Sequence, residues 1–216
     1  MVNEPVLDAE DDDYILDVIF ISSLHINLGL VFKILQELDD ELVKIGHHGW
    51  VLDWLKKNSI LGERDANLND LNGPATTKFL KKLPQLRADL IKMKADALLK
   101  YVEVAEALSE VRTACFGSEP ESLDPNFEDK IKHLEELWLD AGISVTTKAH
   151  CLFRHVPEQI CKYGMPLGKY SEQAVEACHY DFLQHYKGYK RLPNTKNYAE
   201  KLLQAVCSYN SLHLKN

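Results

Sequence analysis

"LRADLIKMKADALLKYVEVAEALSEVRTACF", residues 86–116, runs about thirty residues without a glycine or proline. Leu90, Lys94, Ala97, Tyr101, Val104 and Leu108 recur at helical spacing, and only Lys94 interrupts the apolar stripe. The spacing predicts one long central helix, beginning near Thr76 or after Pro84. At 1.5 Å per residue it would extend roughly 45 Å. Heptads are not sustained, so the pattern is that of a bundle helix and not of a coiled-coil dimer.

The flanking sequence reads the same way. Upstream, "NLGLVFKILQELDDELVKIG" places Leu28, Val31, Leu35, Leu38 and Leu42 on one helical face, with Gly46 as its stop. "WVLDWLKKN" is a shorter helix in which Trp50 and Trp54, four apart, belong to a core seam. "LGERDANLNDLNGPA" supplies Gly, Asn and Asp for a loop. "YILDVIFIS", residues 14–22, is the one run rich enough in β-branched and aromatic residues for a strand. Downstream, "GSEPESLDP" (117–125) has a linker's composition. Four helical segments follow it, stopped by Gly142, Gly164, Pro166 and Pro193, and the first of them pairs Trp138 with Leu134.

The predicted fold is mainly α: a multi-helix bundle with at most one or two short N-terminal strands. Its parts are an acidic flexible tail at 1–13, a helical domain at 14–116 with the long central helix, a linker at 117–125, and a C-terminal helical region at 126–216 packed on the first. A chain of 216 residues that is 45% hydrophobic and 27% charged can bury a sizeable core.

Charge and composition exclude some functions. A net charge of −8 argues against a protein whose main task is wrapping nucleic acid. Much of the acid sits in "DAEDDDYILD" (8–17), the kind of like-charge run that is usually solvated. Two short basic clusters, "KKLPQLR" (81–87) and "YKGYKR" (186–191), leave a weakly supported nucleic-acid contact and are otherwise solvated helix ends. No apolar run reaches membrane-spanning length, so no membrane partner is expected. The N-terminus is acidic where a signal peptide is basic. Cysteines 115, 151, 161, 178 and 207 are odd in number and lack framework spacing. Reduced thiols inside a cell, nuclear or cytoplasmic, are the expectation.

The residue types that could carry chemistry cluster late in the chain. In "YSEQAVEACHYDF" (170–182), Glu172, Glu176 and His179 fall on one helical face, and Glu-x-x-His is a spacing by which helical bundles present metal ligands. His150 and His155 lie on the preceding helix and His25 at the start of the first. Together with Glu176 and His179 they form the candidate metal set, and Glu172 and Glu176 are the candidate catalytic carboxylates. No cofactor is expected; a divalent metal is the alternative the pattern admits, and the set lacks the paired C-x-x-C knuckles of structural zinc sites. The structural alternative is a buried His pair and a Glu that hold helix ends by hydrogen bonds. No G-x-S-x-G elbow, cysteine nucleophile signature or phosphate-binding glycine loop is present.

Three ordered segments carry a resemblance. "SSLHINLGLVFKIL" (22–35) resembles the D-x-L-H-x-x-L-G stretch after the second catalytic Asp of P-element and hobo-like cut-and-paste transposases. "LNGPATTKFLKKL" (71–83) and "KAHCLFRHVPEQICKYGMPLGKYSEQAVEACHYDF" (148–182) resemble segments of insect and cnidarian transposon proteins. The resemblance implies an RNase H-like core holding metal through two Asp and one Glu, with a helical insertion spanning about residues 30 to 140. It matches His25 to the signature His and Glu172 or Glu176 to the late carboxylate, and places His150, His155 and His179 on the family pattern.

Ser22 and Ser23, however, stand where the signature acid belongs, and the strands of the first Asp are not in evidence; Asp13 and Asp17 are merely nearby. Aligning attacking and leaving oxygens between two ions takes several carboxylates. The implied function is therefore a transposase-derived, catalytically inactive binding or regulatory protein, with a protein partner. The alternatives are a metal-dependent, nuclease-like enzyme on the His/Glu set and a plain helical interaction protein.

Overall fold

A computed structural model describes residues 21–170 and 197–213, and all regular structure among these residues is helical. The protein has a mainly α, multi-helix fold. The chain divides into a unit spanning Met1–Ser171 and a second spanning Glu172–Asn216. The expected tail at 1–13 and most of the expected strand lie outside the described residues. Of that strand, Ile21 and Ser22 are described and neither is extended into a sheet; Ser22 caps a helix.

Helix α1, Ser23–Lys44, starts where the Ser22 hydroxyl accepts the backbone N–H of His25. Ile26, Leu30, Val31, Ile34, Leu35, Leu38 and Leu42 are buried along it. The helix stops at Gly46, whose φ of +91° suits a residue without Cβ. The N–H of Gly46 bonds to the Val43 carbonyl and that of His47 to Leu42, which together close a Schellman motif.

Helix α2, Trp50–Lys57, buries Val51, Trp54 and Leu55, while Trp50 stacks on Trp54 with ring centres 6.3 Å apart. Helix α3, Gly73–Lys81, is capped by Asn72, which accepts the N–H of Ala75, and carries Pro74 in its first turn.

The long central helix of the sequence pattern is two helices. Helix α4, Leu83–Lys92, ends at Met93, and α5, Leu99–Cys115, begins after a short 3₁₀ turn at Asp96–Leu98. The chain reverses at Lys94, which takes the left-handed conformation with φ of +58°. Its N–H bonds to the Ile91 carbonyl and that of Ala95 to Leu90, a second Schellman motif, this one without glycine. Lys94 breaks the apolar stripe because it is the exposed corner of that turn; Ala97 is exposed as well.

Helix α5 is the centre of the unit. It packs against α1, α3 and α4, and against α6, Phe127–Asp140. Tyr101, Val102, Val104, Ala105, Leu108 and Val111 are all buried, so the helix is covered on more than one face. Residues 117–125 form a short bend containing the 3₁₀ turn Pro120–Ser122, and one unit continues across it, α6 lying on α5. Leu134 and Trp138 of α6 are fully buried, each a contribution of about 1.5–3 kcal/mol.

Beyond Gly142 the chain forms α7, Thr147–His150, a π-helical turn, Cys151–His155, and α8, Val156–Tyr163. A 3₁₀ turn, Leu167–Tyr170, then lies so close to Phe116 and Gly117 that a Cβ on Gly168 would sit 2.6 Å from the Gly117 carbonyl oxygen. Helix α9, Tyr198–His213, belongs to the second unit.

Candidate functional site

The π turn is written in the sequence by Pro157. In an unbroken α-helix the N–H of residue 157 would bond to the carbonyl of Phe153. Proline has no N–H, and its ring would clash with that carbonyl. The chain admits one extra residue instead, and the N–H of Val156 reaches back five residues to the Cys151 carbonyl. With the added residue, Leu152 and Phe153 within the turn and Val156 and Ile160 after it all reach the core. Phe153 meets the Trp138 ring edge-on at 6.0 Å.

The same turn brings His150 and His155 together on its outer side. Their ring centres are 5.1 Å apart, with planes at 74°. His150 is exposed and His155 half-exposed. Glu158, one turn further on, approaches His155 with its Oε2 3.3 Å from Nδ1. Between the histidines, Arg154 forms a two-pronged pair with Glu135 of α6, with Nη1 2.8 Å from Oε2, so its charge is compensated.

The other candidate positions are distributed differently. His25 is exposed in the first turn of α1. Among the described residues no three His, Cys, Asp or Glu side chains come close enough to share an ion, so His25 does not complete a set with His150 and His155. Glu172, Glu176 and His179 lie outside the described residues. Ser22 and Ser23 serve helix α1: Ser22 is its N-cap and Ser23 is buried.

Other polar features carry no sequence motif. Arg112, half-buried in the last turn of α5, donates from Nη2 to the Thr77 hydroxyl at 2.8 Å, and burial pushes its guanidinium below the ordinary range. The indole N–H of Trp54 donates to Asp89 at 3.0 Å across α2 and α4. Hydrogen bonds from Gln85 and then from this indole hold the Asp89 carboxyl below the usual carboxylate range.

In the basic cluster at 81–87, Lys81 and Lys82 are exposed, but Arg87 is engaged by Glu106, Nη2 to Oε2 2.6 Å. The second basic cluster lies outside the described residues. A shallow groove of about 370 Å³ runs between α1 and the start of α7, where the Lys148 side chain crosses Gly29. Among the described residues no helix is long and apolar enough to cross a membrane.

Glu158 and the π turn are the parts of this site that periodicity misses. The readable signal was Pro157 seven residues after His150, because a proline inside a helical pattern obliges the preceding turn to change. No family model, curated protein or solved structure matches the chain.

Proposed function

We propose that the chain is a transposase-derived helical binding or regulatory module that performs no catalysis of its own. The observation that carries this reading is the build of the α1 start. Where the resembled signature places a metal-binding acid, Ser22 caps the helix by accepting the His25 N–H, and Ser23 is buried. A hydroxyl spent on a helix end supplies none of the negative charge that two divalent ions need. The partner is a protein. Nucleic-acid contact has weaker support, because Arg87, one of the basic cluster at 81–87, is already paired with Glu106. A reducing compartment, nucleus or cytoplasm, is in keeping with the free thiols of Cys115, Cys151 and Cys161.

The test is a nuclease assay on the full chain with magnesium or manganese and labelled duplex and single-stranded DNA. The expected result is no cleavage above the protein-free control. Robust cleavage that disappears in Glu176→Gln would overturn the proposal and favour the metal-dependent enzyme reading.

A further inference from the structure

We propose that His150 and His155 form a two-imidazole clamp for an exchangeable zinc-class divalent ion on the outer face of the π turn. In a regular α-helix, residues five apart point about 140° away from each other. The π turn reduces that divergence, and the ring centres stand 5.1 Å apart, edge to face, with planes at 74°. With metal–nitrogen bonds of about 2.0–2.1 Å and nitrogen about 1.1 Å from the ring centre, two imidazoles on a tetrahedral ion have centres about 5.2 Å apart. The edge-to-face approach of this pair at 5.1 Å falls within the spacing such an ion takes.

The surrounding groups favour the same chemistry. The Glu158 carboxylate accepts a hydrogen bond from His155 Nδ1–H, which favours the tautomer that leaves the Nε2 lone pair for the ion. Among the described residues the ring of His150 makes no hydrogen bond. Arg154, the nearest cation in sequence, is neutralised by Glu135 and does not oppose a second positive charge. Imidazole nitrogen as donor selects zinc, copper, nickel or cobalt over magnesium and calcium. Among the described residues no third His, Cys, Asp or Glu joins the pair, which leaves coordination positions open to water and makes the ion an exchangeable one.

The experiment is a titration of the full chain with Zn²⁺, followed through the histidine ring resonances, and with Co²⁺, followed through its visible absorption. Saturable binding of one equivalent that shifts the His150 and His155 rings, with a saturable change in the cobalt visible spectrum, is the expected result. His150→Gln and His155→Gln should each weaken binding at least tenfold, and Glu158→Gln about tenfold. His133→Gln, on a different helix, should leave it unchanged. Absence of saturable binding, or binding retained in both clamp variants, would overturn the proposal and in the second case assign the ion to another of the chain's nine histidines. Ring shifts in the unmodified protein need no variant to fold, and nuclease activity is read separately, so either proposal can fail alone.

Discussion

Lys94 occupies a conformation that glycine usually supplies. A left-handed backbone costs a residue with Cβ about 1–2 kcal/mol, and the Lys94 side chain is exposed at its corner. Lys94→Gly should therefore stabilise the protein by about 0.5–1 kcal/mol, after allowing for the freer unfolded chain, and shift the urea midpoint upward. Gly46 and Gly142, which end their helices with the same geometry, were legible because glycine marks them. Ser59 and Lys94 were not, since no compositional signal announces a side chain at positive φ. The readable trace was the next residue: Ile60, Ala95 and Ile143 each follow such a corner and each is buried.

Asp89 gives the residue scale its pH dependence. Its folded carboxyl titrates below the usual range, so the stability it adds is present above the unfolded carboxylate pKa and is lost as pH falls through the folded value. Asp89→Asn should cost about 1 kcal/mol at pH 7. In paired thermal melts the gap between variant and wild type should narrow at pH 3. A constant gap would assign the loss to packing.

At the scale of elements, the π turn explains a helix that periodicity could only draw as regular. The apolar residues of 148–163 are spaced for a helix, and a helix is what forms, but its two halves are offset by one residue. Restoring the missing N–H with Pro157→Ala should let the segment close as continuous α-helix and swing His150 about 140° from His155. The ring-to-ring nuclear Overhauser contact between them should then disappear, and zinc affinity should fall although both ligands are intact. A π turn that persists would show that the Phe153–Trp138 contact, and not the proline, holds it.

Across the whole molecule, burial of α5 determines which thiol is inert. Cys115 is fully buried, and burial pushes its thiol up to about 12. Cys161 is exposed, with its thiol held up chiefly by donation to Glu128, and Cys207 is exposed. Alkylation at pH 8 in native buffer should therefore modify Cys161 and Cys207 and spare Cys115 until denaturant is added; mass mapping of modified peptides reads this directly. Rapid native labelling of Cys115 would mean that α5 opens locally.

The mainly α architecture was legible because apolar spacing survives along every described helix. That the long central helix is two helices, the second covered on more than one face, was not, since a helix so buried loses the one-sided pattern by which a sequence points toward its core. The candidate site divides in the same way: His150 and His155 could be named from residue type, but their approach depends on a local change of helical pitch. Glu172, Glu176 and His179 lie outside the described residues.

The seat of Gly168 on Phe116 and Gly117 joins backbone to backbone across some fifty residues of chain. A contact of that span cannot form before α6, the π turn and α8 have carried the chain back, whereas the Schellman corners close within six residues. Loop-closure entropy predicts an order of assembly: corners first, then helix against helix, and this latch last. In native-state hydrogen exchange the turn at 167–170 should open in smaller, cheaper fluctuations than α5 does, like a clasp that yields while the box stays shut.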